Sequence, residues 1–134
     1  MILRLIFLLI LSASYAQESK FTILDLPKSL TENANSITKS ESTFVDVSDS
    51  GSQDVYYTKT ITILNSKGNS DINAFAFYDN NSKVKKLNAT IYDALGNKIK
   101  SFSKRDFRDV SAVSNGTLYS DNRVMYLDYT PITY

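Results

Sequence analysis

Acids, arginines and aromatics crowd the segment SKRDFRDVSAVSNGTLYSDNRVMYLDY, Ser103 to Tyr129. Two carboxylates held about 5–10 Å apart around a sugar suffice for glycoside hydrolysis. Asp106 with Asp109, or Asp121 with Asp128, supply the residue types. Acids in turns also cap backbone N–H groups, and nothing in the spacing gathers these four onto one point. Hard cations want several oxygens, which Asp46, Asp49 and Asp54 offer as one set and Asp79, Asn80 and Ser82 as another. Neither follows the spaced loop of a calcium motif, so both read as turns. No G-x-S-x-G occurs, and serine chemistry without an imidazole needs a lysine base in a dry pocket.

The chain has no cysteine and no histidine. A thiol nucleophile, an imidazole base and a zinc site built on those ligands are therefore excluded. The residues point to no catalytic group, no cofactor and no metal ligand, and the expectation is a protein that is not an enzyme. Nine tyrosines remain. Aromatics on a sheet can stack on sugars or anchor a protein, which makes Tyr56, Tyr92 and Tyr119 a candidate binding surface. Tyrosine is also a good strand former, and in Val55-Tyr56-Tyr57 and Met125-Tyr126 packing is the simpler role. Three N-x-[ST] sequons, at Asn80, Asn88 and Asn115, matter only in a host that glycosylates.

The N-terminus predicts export. Arg4 precedes an apolar run from Leu5 to Leu11 and the short segment SASYA, Ser12 to Ala16. That order is a signal peptide over residues 1–16, cleaved between Ala16 and Gln17. The apolar run falls short of the roughly 20 residues a membrane-spanning helix needs, so no transmembrane segment is expected in the mature chain. Loss of Arg4 takes the formal charge from +1 to zero. A neutral chain lacks the surplus of lysine and arginine that nucleic acid requires. The clusters Lys83, Lys85, Lys86 and Lys98, Lys100, Lys104, Arg105 read as solvated strand faces and edge protection.

The elements that would position these residues are strands. Phe21 to Leu26 is an expected extended lead-in, and PKSLTENA, Pro27 to Ala34, one or two helical turns with Ser29 and Glu32 at capping-box spacing, plugging the core with Leu26 and Leu30. Period-two alternation follows in VYYTKTITIL, with Val55, Tyr57, Ile61 and Ile63 on one side. KLNATIY repeats it with Leu87, Ala89 and Ile91, and Val45 with Val47 marks a weaker strand. INAFAFY, Ile72 to Tyr78, and RVMYLDY, Arg123 to Tyr129, are apolar on both sides, as in interior strands. LNSKGN, Leu64 to Asn69, and YDALGN, Tyr92 to Asn97, share a turn plan in which Asn or Asp opens a hairpin loop and glycine closes it. Asp49 to Ser52 and Asp79 to Ser82 are further turns. Between Lys104 and Val110, Phe107 and Val110 dip into the core, and Ser111 to Asn122 is a loop. The whole reads as an all-β, antiparallel sandwich-like domain over residues 17–134.

At TKTITILNSKGN, LNATIYDALGNKIKSFSKRDFRDVSAV and GTLYSDNRVMYLDYTPITY the chain resembles the N-terminal part of domain of unknown function 3857. The resemblance covers about Leu26 to Tyr134. It implies a β-sandwich-like domain that precedes a transglutaminase-like domain in exported Bacteroidetes proteins, periplasmic or at the cell surface. It also implies continuation beyond YTPITY into further strands, so that the present domain is incomplete at its C-terminus; if those strands pair with Arg123 to Tyr129, an unpaired sheet edge is expected there. The catalytic Cys and His of the transglutaminase-like domain have no counterpart here. The expectation is a non-catalytic accessory module of a larger protein, with an independent glycan- or protein-binding module as the alternative.

Overall fold

The computed structural model describes residues 21–72, 74–113 and 120–129. The Ala16–Gln17 cleavage site, Asn115 and Tyr119 lie outside the described residues. Among the described residues seven strands carry the fold: β1 (Ser36–Asp49), β2 (Ser52–Ile63), β3 (Phe75–Tyr78), β4 (Asn88–Tyr92), β5 (Lys98–Ser103), β6 (Arg108–Ser111) and β7 (Arg123–Tyr126). All pairings are antiparallel, as a hairpin β1-β2, a hairpin β4-β5 and a three-stranded sheet in the order β3-β7-β6. The fold is all-β and sandwich-like. Short 3-10 turns occupy Ser66–Asp71 and Lys104–Asp106.

Residues 21–26 form turns rather than an extended strand, with Leu26 N–H donating to Ile23 O. They bridge two hairpins: Ile23 N–H donates to Ala94 O, Phe21 stacks on Tyr92 at 4.0 Å, and Lys39 Nζ donates to Thr22 O. One helical turn, α1 (Lys28–Thr31), follows Pro27. Pro27 sits at its N-cap and Ser29 lies inside the turn, so the expected capping box does not form. Asn33, at φ 66°, turns the chain out of it. Leu30 is 54% exposed and plugs nothing.

Asp49 to Ser52 makes the β1–β2 connection, and the ladder runs from Ser36↔Ile63 to Asp49↔Ser52. The strand period of β2 is present, yet burial does not follow it. Val55 to Lys59 are exposed on both sides, whereas Thr60 to Ile63 are half-buried on both. Alternation selects an inner face only where a second layer lies against the strand, and among the described residues none covers the outer half of the hairpin.

The two turns with one plan diverge. In YDALGN, Asp93 accepts hydrogen bonds from Leu95 N–H and Asn97 N–H, and Gly96 adopts φ 86° before β5. This is the expected hairpin, with a register shift at Ile91/Tyr92. In LNSKGN, Asn65 instead caps the 3-10 turn by accepting from Lys67 N–H. Gly68 is buried against the Asn35 backbone, where a Cβ would overlap Asn35 O. Its glycine serves a close approach rather than a positive φ. Leu64 N–H to Asn35 O and Ser36 Oγ to Asp71 complete this joint at the hairpin base.

Among the described residues, Phe107 and Met125 are the buried large hydrophobics. Phe107 dips inward as expected, but Val110 stays 39% exposed. Arg123–Tyr126, expected to present an unpaired edge, is the central strand of its sheet, with β3 and β6 on either side. β3 is an edge strand and not an interior one. Phe75 and Phe77 point to its open face, edge-to-face with each other at 5.3 Å.

Candidate functional site

The crowded segment unfolds into a series of separate ties. After β5 the chain must reverse, and Ser103 with Asp106 supplies the corner. The Asp106 carboxylate accepts from Ser103 N–H at 2.7 Å and from Ser103 Oγ at 2.8 Å in a capping box. These bonds hold its carboxyl below the usual aspartate range. Asp109 lies two strand positions before Ser111, on the same side of the sheet as Tyr78 and Arg123. Register makes the meeting: Arg123 is opposite both Tyr78 and Ser111, and Asp109 is diagonal to it.

Tyr78 Oη donates to Asp109 Oδ2 at 2.6 Å, and Arg123 Nε lies 3.0 Å from both Asp109 Oδ1 and the Tyr78 hydroxyl oxygen. The Tyr78 hydrogen bond, helped by Arg123, lowers the Asp109 pKa, and the same contacts raise that of Arg123. A depressed carboxylate is a poor proton acceptor, since general bases work best with pKa values near the operating pH. The cluster ties β3, β6 and β7 together across three strands.

Asp121 accepts from Asn80 N–H at 2.9 Å, near the Tyr78 end of β3. Asp128 pairs with Arg108 at 3.1 Å beyond the other end of β7. The pairs Asp106 with Asp109 and Asp121 with Asp128 thus face different partners, and neither converges on a shared cleft. Asp79 makes the expected turn, accepting from Asn81 N–H and from Ser82 Oγ, which lowers its pKa. Asp46 and Asp54 are cross-strand neighbours on the first hairpin, with Lys85 bonded to Asp54. Among the described residues no group of three or more acids is placed to hold a metal ion.

Members of the basic clusters are also engaged. Lys104 Nζ donates to Val84 O, and Lys100 Nζ lies 4.9 Å above the Phe102 ring and 5.4 Å above that of Tyr129. Two open depressions among the described residues border these acids. One lies among Phe77, Tyr78, Asp79, Ser82, Ala112 and Asn122. The other is lined mainly by Thr90, Ser101, Ser103, Arg105 and Asp106. In each a serine hydroxyl donates to a carboxylate, Ser82 to Asp79 and Ser103 to Asp106, and each pair belongs to a turn or capping set.

The three tyrosines singled out by type have separate fates. Tyr56 is 55% exposed on β2 beside Phe44, their ring centroids 5.9 Å apart. Tyr92 is half-buried in β4 against Phe21. Tyr119 lies outside the described residues. Asn80 and Asn88, two of the sequon asparagines, are exposed. The Tyr78–Asp109–Arg123 tie was not foreseen, and no spacing announces it, because its members sit on three strands aligned only by register.

A family model described as Domain of Unknown Function with solved-structure structure (DUF3857) matches residues 49–134. The matched part starts at the last residue of β1 and takes in β2 to β7. No curated protein and no solved structure matches the chain. Among the described residues no helix is long and apolar enough to cross a membrane.

Proposed function

The chain belongs to the DUF3857 family, and on that premise we propose that it is a non-catalytic, exported β-module, the accessory N-terminal part of a larger transglutaminase-like protein. One observation carries the reading most: the four acids of the crowded segment each hold a structural partner, at Ser103, at Tyr78 with Arg123, at Asn80 N–H and at Arg108. Carboxylates used in this way fasten turns and strands, which supports a structural role for them. The leader over residues 1–16 supports delivery to the periplasm or cell surface. Exposed apolar side chains on β2 and β3 suit a module that works beside other protein.

The coding sequence downstream of Tyr134 tests this. An open frame encoding a domain with Cys, His and Asp in transglutaminase-like order supports the reading, and an immediate stop codon counts against it. A second reading, a glycan- or protein-binding module, is favoured by the exposed Phe44–Tyr56 ring pair. Unchanged glycan-array binding by Tyr56→Ala would dispose of it.

A further inference from the structure

The first hairpin has two outer edges, and they are built differently. On β1 the ladder breaks twice, between Thr38 and Ser40 and between Val47 and Asp49, so Lys39 and Ser48 are bulge positions in the register. Bulges twist an edge and spoil it for strand addition. β2 has no such protection. Every residue from Ser52 to Ile63 takes one position opposite β1, and the strand contains no proline. Alternate N–H and C=O groups of β2 point away from β1. Among the described residues no backbone hydrogen bond joins them to another segment.

Such an edge accepts another strand, and its own sequence names one. A two-fold axis perpendicular to a sheet preserves the two faces, so a strand can meet its copy only in registers where one residue faces itself. Centred on Tyr56, the register sets Val55 opposite Tyr57, Asp54 opposite Thr58 and Gln53 opposite Lys59, twice over. Aromatic and β-branched residues are favourable cross-strand pairs, and no like charges meet. Centred one residue later, Val55 would face the Lys59 ammonium and Tyr56 would face Thr58. The residues concerned are open to a partner: Val55, Tyr56 and Tyr57 are 57%, 55% and 56% exposed.

We propose that the protein forms a two-fold dimer by antiparallel addition of β2 to β2 of a second copy, centred on Tyr56. The two hairpins then make one continuous four-stranded sheet, with the bulged β1 strands outermost. The interface is independent of the accessory-module reading, and can fail while that reading stands.

Sedimentation equilibrium of the purified chain should show a dimer fraction that rises with concentration. Tyr56→Lys puts two ammonium groups face to face at the axis and should weaken association by about tenfold or more, with circular dichroism reporting an unchanged fold. The chain contains no cysteine, so a single introduced thiol is diagnostic. Tyr56→Cys should oxidise to a linked dimer. Phe44→Cys, on the same face but on the far strand, should not, because disulfides span only about 4.4–6.8 Å between Cα atoms. A chain that stays monomeric at its highest soluble concentration overturns the proposal. So does a dimer indifferent to Tyr56→Lys, or equal cross-linking from both cysteine positions. If Tyr56→Lys does not fold, the cross-linking contrast decides.

Discussion

The β1–β2 hairpin and the three-stranded sheet β3-β7-β6 use similar strand sequences to opposite ends. In the hairpin, Phe44, Val45, Val47, Val55, Tyr56 and Tyr57 are all exposed, and the ladder itself carries the structure. The three-stranded sheet is short, but its central strand contributes Met125 to the buried interior, and Tyr78, Asp109 and Arg123 lace the same face, opposite the one that carries Phe75 and Phe77. Apolar content therefore does not distinguish a core from a surface in this chain. What does is whether a second element lies against the strand.

Substitutions can break or sharpen that contrast. The largest effect belongs to Phe107→Ala, which should cost about 3–5 kcal/mol in chemical denaturation, the range for emptying a buried aromatic site. A value near zero would mean the interior assigned to the three-stranded sheet is not one. Gly68→Ala comes next. Its methyl must push into the Asn35 carbonyl at the hairpin base, and overpacking of this kind costs about 1–3 kcal/mol. Thermal melting would register it, and an unaffected midpoint would remove the joint as a constraint.

Ser103→Ala deletes one hydroxyl of the capping box and should lower stability by about 1 kcal/mol. The acid ties respond to pH as well. Asp79, Asp93, Asp106 and Asp109 have pKa values lowered by their hydrogen bonds, so below the ordinary aspartate value the unfolded chain binds more protons than the folded one. Their contribution is present above that value and is lost as pH falls through the lowered folded values. Denaturation midpoints should hold steady down to about pH 4 and decline below it. At the small end, Val47→Ser, 69% exposed near the hairpin tip, should change stability by no more than about 0.5 kcal/mol. A larger loss there would show that the tip is covered in solution.

The same contrast explains what was legible in the sequence. YDALGN announced its hairpin because everything it needs is local: Asp93 as acceptor and Gly96 at positive φ. LNSKGN has the same plan, an Asn or Asp followed three residues later by Gly-Asn, and became a capped 3-10 turn. The deciding contact there is with Asn35, which local spacing does not display. Phe107 could be read as inward, since an aromatic between charged neighbours at a corner has one side to go to. Val110 could not, because its burial depends on what covers β6. For the site, residue types pointed to turn and capping hydrogen bonds at Asp79 and Asp106, and such bonds are present there. The Tyr78–Asp109–Arg123 meeting arises from the register of β3, β6 and β7, and no single stretch encodes it.

The placement of β7 between β3 and β6 has a consequence for the order of assembly. Ribosomes deliver this chain from its first residue, and the two hairpins can close as soon as each has emerged, since their partners are neighbours in sequence. Phe75 must wait for Tyr126, and Arg108 for the same residue. Until that late segment arrives, both flanking strands are nascent and unmated, so a chain halted before Arg123 would leave two hairpins tethered to a tail with no sheet to join.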